Sequence, residues 1–155
     1  MDGEGQPANS ILSVGKILSC KEENGVKTAV LDMSTAYEKL TCWTRTFTLT
    51  ENALCIEDHI EAKEPVTITY PLHMLVMPSE QDNILTVERE NVILTVTPVE
   101  GGLSACEISD KFAVDLNEGE PEQYHVTMPP QYHTKWTTPK KSVHDLRVNY
   151  TINRK

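Results

Sequence analysis

Polar and apolar residues alternate along most of this chain, in short segments that are rich in β-branched and aromatic side chains and are divided by turn residues. Alternation with a period of two is typical of strands that bury one face. The pattern predicts an all-β fold, an antiparallel two-layer β-sandwich with at most one short helical turn at residues 34–39. Strands are predicted over residues 11–20, 26–33, 42–50, 53–62, 66–77, 84–89, 92–98, 112–116, 123–128 and 144–152.

Three predicted turns contain a Glu-Asn dipeptide, and they determine the register of the hairpins around them. Asn24-Gly25 is the strongest signal, because both residues tolerate the positive φ angles of two-residue hairpin loops. A turn at Glu51-Asn52 predicts the cross-strand pairs Trp43–Ile60, Arg45–Asp58, Phe47–Ile56 and Leu49–Leu54. A turn at Glu90-Asn91 predicts the pairs Leu85–Val96 and Val87–Leu94. In the last strand, Leu146, Val148, Tyr150 and Ile152 share one apolar face.

One charged pair, Arg45 and Asp58, lies on the apolar face of the middle hairpin. A lone charge there would cost several kcal/mol, whereas a bidentate Arg–carboxylate pair is tolerated. We therefore predict a buried structural ion pair that secures the register, with a ligand-binding role for Arg45 as the alternative. The opposite face is mostly polar and carries Thr44, Thr46, Thr48, Cys55, Glu57, His59 and Glu61.

Length and charge narrow the range of functions. The 155 residues are predicted to form a single β-sandwich domain, residues 1–155. Hydrophobic content of 39% and charged content of 24% are typical of globular proteins. The net charge is −9 and no basic stripe is present, so neither nucleic acid nor an anionic membrane is a predicted partner. The acidic N-terminus lacks the pattern of a signal peptide.

The spacing of the cysteines and histidines predicts no catalytic site and no metal site. The four cysteines, Cys20, Cys42, Cys55 and Cys106, form no CxxC pair and are predicted to be small buried residues without disulfides. Free cysteines favour a cytoplasmic location, whereas a signal on a longer parent chain would allow a periplasmic one.

The histidines, at positions 59, 73, 125, 133 and 144, form no HxH or HExxH motif. His59 is predicted to lie on a solvated face beside Glu57 and Glu61, and His73 to be a core or interface residue. With no GxSxG motif and no phosphate-binding loop in the sequence, no catalytic residue and no cofactor is predicted.

Several segments occur in a characteristic order. They are Asp2-Gly-Glu-Gly-Gln6, Val14-Gly-Lys-Ile-Leu18, Val30-Leu-Asp-Met-Ser-Thr-Ala-Tyr37, Trp43-Thr-Arg-Thr-Phe47, Leu54-Cys-Ile-Glu-Asp58 and Tyr70-Pro-Leu-His73. In this order and spacing the chain resembles the later part of heparinase II/III-type polysaccharide lyases. Two features depart from the family pattern: Tyr70, where the family usually has Trp, and the high cysteine content.

The resemblance implies a parent protein with an α/α toroid followed by this β-sandwich. Such lyases cleave uronate-containing glycans by β-elimination, which needs a base and a group that stabilises the enolate-like intermediate. In the family these residues lie mainly before the Asp-Gly turn, so none is carried over to this chain. The resemblance implies a non-catalytic C-terminal domain that packs on the toroid and meets acidic polysaccharide through it.

The alternative is an independent carbohydrate-binding sandwich. Such modules usually stack sugars on exposed aromatic side chains, and aromatic content here is only 6%. With Trp43 predicted to face inward, the candidates for stacking are Trp136, Tyr132 and Tyr124.

Overall fold

The computed structural model describes residues 15–110, 121–124 and 130–155, and strands make up most of them. The strands are β1 (Lys16–Glu23), β2 (Val26–Asp32), β3 (Leu40–Leu49), β4 (Ala53–Val66), β5 (Thr69–Met74), β6 (Ser79–Gln81), β7 (Ile84–Arg89), β8 (Val92–Glu100), β9 (Ser104–Ser109), β10 (Tyr132–Thr137) and β11 (Lys141–Arg154). Short 3-10 turns occupy Ser34–Ala36 and Glu122–Tyr124. In this part of the chain no helix has the length and apolar character to cross a membrane.

The strands form two antiparallel sheets. The large sheet has eight strands in the order β1-β2-β3-β4-β11-β8-β7-β6, and the small sheet has three in the order β5-β10-β9. Strand β11 lies between β4 and β8, so the end of the chain is at the centre of the large sheet. The predicted antiparallel β-sandwich is confirmed.

The predicted hairpin registers are confirmed as well. All four pairs of the β3–β4 hairpin form, including Arg45 opposite Asp58. Both predicted pairs of the β7–β8 hairpin also form. At the β1–β2 turn, Asn24 and Gly25 have φ angles of 51° and 78°, as a two-residue loop of this kind requires. At the β7–β8 turn, Glu90 has the positive φ angle, 51°.

Three strands were not predicted from the pattern: β6, β9 and β10. Each has six residues or fewer, and in β10 the polar residue Thr134 on the buried face interrupts the alternation. Residues 122–124 form a 3-10 turn where a strand was expected to begin. The predicted strand at 112–116, residues 11–14 and 125–128 of two others, the Asp2-to-Gln6 turn and His125 lie outside the described residues.

The core lies between the two sheets. Large-sheet residues such as Ile60, Leu85 and Val148 are buried against Tyr70 and Trp136 of the small sheet. The Trp136 side chain has 0% exposure, and its ring packs edge-on against Tyr70 with centroids 6.3 Å apart. An indole buries on the order of 150–250 Å² in such a position.

The prediction that Trp136 is a platform for sugar stacking is therefore wrong. Trp136 belongs to β10, the middle strand of the small sheet, and it shares the inward face of that strand with buried Thr134. Tyr132 begins the same face and is half-buried. The side chain of Tyr124 lies outside the described residues, so both tyrosines remain untested as stacking residues.

Two further predictions need correction. The four cysteines were predicted to be buried, but Cys20 is exposed and the other three are only partly buried. Cys20 belongs to the edge strand β1, in which every residue is exposed. His73 is exposed, which contradicts the prediction of a core position and leaves that of an interface position untested; its ring meets that of His133 on the small sheet, with centroids 4.6 Å apart.

Candidate binding cleft around Arg45

A cleft of about 510 Å³ lies between β3 and β4 of the large sheet and β5 of the small sheet. It lies next to the hydrophobic core and shares Ile60, Tyr70 and Leu146 with it. The residues that line it are Met33, Tyr37, Trp43, Arg45, Ile56, Asp58, Ile60, Ile68, Thr69, Tyr70, Pro71, Leu72, Leu146 and Tyr150.

The Arg45–Asp58 pair forms one wall of the cleft. The Nε atom of Arg45 donates to Oδ1 of Asp58 at 2.7 Å, and Nη2 donates to Oδ2 at 2.8 Å. The indole Nε1 of Trp43 donates a third hydrogen bond to Oδ1 of Asp58 at 2.6 Å. The Asp58 side chain is 1% exposed and that of Arg45 is 23% exposed. Burial is the largest single influence on the pKa of Arg45 and would lower it, but the hydrogen bond to Asp58 and the charge interactions, chiefly with Asp58, together outweigh it, so the pKa of Arg45 is raised.

Aromatic rings hold the guanidinium group in place. The central carbon of that group lies 5.1 Å from the ring centroid of Trp43 and 5.9 Å from that of Phe47, within the range of cation–π attraction. Tyr37 stacks on Trp43, with centroids 6.0 Å apart. Because Nε and Nη2 bind Asp58, the opposite edge of the planar group, which carries Nη1, keeps N–H donors for another acceptor.

Two tyrosine hydroxyls are the second hydrogen-bonding group in the cleft. The hydroxyl oxygens of Tyr70 and Tyr150 are 3.0 Å apart, so one donates to the other. Burial raises the pKa of both tyrosines, which keeps both hydroxyls neutral. One O–H donor and further lone pairs of this hydroxyl pair are left for a ligand.

The cleft has no net charge. Among its lining residues in the described part of the chain, only Arg45 and Asp58 are charged at neutral pH, and their charges cancel. A neutral cleft with aromatic walls and a few fixed polar groups is typical of a site for a small amphipathic molecule.

The opposite face of the large sheet has different chemistry. A depression of about 390 Å³ there is lined mainly by polar residues, among them Glu57, His59, Asp145 and Arg147. His59 lies on this polar face, as predicted. Its Nδ1 is 2.7 Å from Asp145 and its Nε2 is 3.3 Å from Glu61, and these hydrogen bonds raise the pKa of His59. In the described residues no three His, Cys, Asp or Glu side chains are arranged so that they could hold a metal ion.

Sequence reasoning found part of this cleft. Arg45 and Asp58 pair as the hairpin register predicts, and Trp43 points inward beside them. Tyr37 and Tyr70 were noticed only as parts of the resembling segments, and Tyr150 only as a core residue. Their convergence depends on contacts between segments far apart, for which the sequence carries no local signal. Neither Trp136 nor Tyr132 lines the cleft.

The fold has counterparts among solved structures. No family model and no curated protein matches the sequence. A heparan sulfate lyase, HepC from Pedobacter heparinus, matches with a TM-score of 0.71 and 9% identity over 91% of this chain and 22% of its own. A heparinase III, the BT4657 gene product, matches with a TM-score of 0.67 and 10% identity over 91% of this chain and 21% of its own. The predicted resemblance is thus confirmed at the level of the fold.

Proposed function

We propose that this chain is the non-catalytic C-terminal β domain of a heparinase II/III-like polysaccharide lyase, packing on and supporting an α/α toroid. The proposal rests on how much of each chain the structural match covers. Nearly the whole of this chain, 91%, matches 22% of the HepC lyase. The chain spans about a fifth of the length of the lyases it matches, so the parent protein would have room for a toroid that performs the β-elimination.

The polar groups of the cleft support a structural role for Arg45 and Asp58. Three donors converge on the Asp58 carboxylate, which is almost completely buried. In β-elimination a base must reach the proton next to the uronate carboxylate. A carboxylate that is engaged in this way and shielded from solvent is poorly placed for that task. On this proposal, acidic polysaccharide is bound through the toroid.

Exposed apolar side chains favour a position within a larger protein. Every residue of the edge strand β1 is exposed, including Ile17 at 69% and Leu18 at 53%. Leu75 and Met77, which follow β5, are exposed at 65% and 66%. Isolated domains usually blunt or cover such strand edges, and exposed apolar groups often mark contacts with another domain.

The alternative, an independent carbohydrate-binding sandwich, loses one of its three candidate residues. Trp136 is fully buried and cannot stack on a sugar in this fold. Tyr132 is half-buried at the beginning of β10. Stacking by Tyr132 or Tyr124 would therefore have to carry this alternative, unless a different site binds the sugar.

An activity comparison tests the accessory role. The purified chain and a longer parent polypeptide that includes the toroid would be incubated with a panel of uronate glycans, including heparan sulfate. Ultraviolet absorbance of the unsaturated uronate product measures β-elimination. We expect product from the parent and none from the chain alone. Product formed by the pure chain would refute the proposal.

A heparin column tests whether the chain itself recognises acidic glycan. At a net charge of −9 the long-range field repels polyanions, and few basic residues are present to release counterions. We expect the isolated chain to elute at or below physiological salt. Retention beyond that salt concentration would favour the alternative, an independent module that binds glycan without the toroid.

A further inference from the structure

The cleft around Arg45 has a chemistry that the accessory role does not use. We infer that this cleft is a binding site for the ring of a neutral sugar, held by Tyr37, Trp43, Arg45, Tyr70 and Tyr150. This inference goes beyond the proposed function, because it assigns a ligand to the β domain itself. The cavity of about 510 Å³ lies within the range of about 300–1,000 Å³ of small-molecule sites.

The aromatic wall suits one face of a sugar ring. Trp43 and Tyr37 are stacked at 6.0 Å with an interplanar angle of 30°, and both rings line the cavity. A pyranose ring has a face of C–H groups, which packs on aromatic rings, and an edge of hydroxyl groups. The apolar side chains of Ile56 and Leu72 continue the same lining. The cleft therefore offers aromatic and apolar surface to the C–H face, chiefly from Tyr37, since Trp43 already stacks on Tyr37 and carries the Arg45 guanidinium.

The polar groups of the cleft suit the hydroxyl edge. Within the described part of the chain Arg45 uses Nε and Nη2 for Asp58, so the N–H donors of Nη1 can bind a ligand, and the Tyr70–Tyr150 hydroxyl pair can both donate and accept. Asp58, together with the rings of Trp43 and Phe47, already holds the guanidinium group in place. Because this donor is preorganised, a ligand would not have to bear the entropy cost of ordering it.

The charge balance selects neutral sugars over acidic ones. Asp58 neutralises Arg45, so a carboxylate or sulfate would place an uncompensated negative charge in a half-buried site. The net charge of −9 on the whole chain adds to this repulsion. The proposed ligand thus differs from the acidic glycan that the toroid of a lyase would cleave.

Fluorine NMR can test the site, because the chain has only two tryptophans. The full chain labelled with 5-fluorotryptophan gives one resonance for Trp43, which lines the cleft, and one for Trp136, which is buried in the core and serves as an internal control. The neutral probes are the methyl glycosides of glucose, galactose and mannose. The charged probe is methyl β-glucuronoside, which has the glucoside ring with a carboxylate at C6.

We expect at least one neutral glycoside to shift the Trp43 resonance in a saturable manner and to leave that of Trp136 in place. The glucuronoside should bind at least about tenfold more weakly, the equivalent of about 1.4 kcal/mol. Tyr150→Phe, which removes one hydroxyl, should raise Kd about fivefold. Tyr37→Ala should raise Kd by up to about tenfold through loss of the ring. Thr46→Ala, on the opposite face of β3, is the matched control and should leave Kd unchanged.

Several results would overturn the inference. These are no saturable shift with any neutral glycoside up to its solubility limit, glucuronoside binding as tight as that of the glucoside, or Kd values unaffected by Tyr150→Phe and Tyr37→Ala. Equal binding of benzyl alcohol would show a merely apolar cavity and would also overturn it. An unchanged Trp136 resonance confirms that each variant is folded. The lyase assay is independent, so either proposal can fail without the other.

Discussion

Glu57 and Asp58 are neighbours on β4, and each carboxylate pairs with an arginine on the adjacent strand, on opposite faces of the large sheet. Asp58 meets Arg45 of β3 with N–O distances of 2.7 and 2.8 Å. Glu57 meets Arg147 of β11 with N–O distances of 2.8 and 2.6 Å. The side chains of the first pair are 1% and 23% exposed, and those of the second are 40% and 43% exposed.

The two pairs have similar N–O distances but differ in exposure, and exposure is expected to determine their energetic importance. Solvent around Glu57 and Arg147 screens their attraction and can rehydrate either partner if the other is lost. Water has little access to Asp58, so a lost partner leaves a desolvated charge. The pair on the inner face is therefore expected to be essential to the stability of the fold, and the pair on the outer face nearly dispensable.

Removal of one partner of the inner pair should have the largest effect. We expect Arg45→Leu or Asp58→Leu to lower the free energy of unfolding by about 3–5 kcal/mol, because each leaves one buried charge without its partner. The double variant should lose far less, since no unpaired charge remains. Urea unfolding of the three variants measures this coupling. Single variants as stable as the wild type would show that the pair contributes nothing to stability, and a selective loss of ligand binding would make Arg45 a ligand residue.

The third donor to Asp58 provides the next test. Trp43→Phe removes the indole N–H and keeps an aromatic ring, so we expect a loss of about 1.5–3 kcal/mol, the usual range for a hydrogen bond to a charged group. In the Asp58→Leu background the same change should cost clearly less, because the acceptor is already absent. Equal costs in both backgrounds, measured by urea unfolding, would show that ring volume and not the hydrogen bond determines the effect.

The outer pair should respond weakly. We expect Glu57→Gln or Arg147→Gln to lower the free energy of unfolding only slightly, far less than Asp58→Leu does. Glu100 is 3.8 Å from Arg147 and can still attract it after Glu57→Gln, which reduces the effect further. The loss should vanish at about 1 M salt, where the Debye length is about 3 Å, while the coupling of the inner pair should persist. If either variant lowers the free energy of unfolding as much as Asp58→Leu does, exposure does not explain the difference between the two pairs.

The smallest expected effect is the pH dependence from His59, on the same outer face. Hydrogen bonds to Asp145 and Glu61 raise the pKa of His59 above its ordinary value of 6.5. The stabilisation by protonated His59 is thus fully present below pH 6.5 and is lost as pH rises through the higher pKa of the folded state. His59 is 44% exposed, so the effect should be on the order of a few tenths of a kcal/mol. His59→Gln should abolish this difference in urea unfolding between acidic and alkaline pH, and Asp145→Asn should reduce it.

The hairpins were predictable because the residues that determine their register lie close together in the sequence. A short turn such as Asn24-Gly25 limits the strands to one register, and the period of two then places each side chain on a face. This reasoning led directly to Arg45 opposite Asp58. It failed for β10, whose inward face includes the polar residue Thr134 and whose neighbours β5 and β9 are distant in sequence.

The sequence by itself therefore determined the strand class, the registers of two hairpins with the Arg45–Asp58 pairing, and the turn at Asn24-Gly25. Only the tertiary structure decided what covers each apolar face. It placed β11 between β4 and β8, buried Trp136, left Cys20 exposed and brought the Tyr70 hydroxyl within 3.0 Å of Tyr150, a residue 80 positions away. Alternation shows which face of a strand is apolar, but the partner of that face comes from distant segments with the same pattern. Their pairing is selected by packing of the whole domain, and no local sequence signal specifies it.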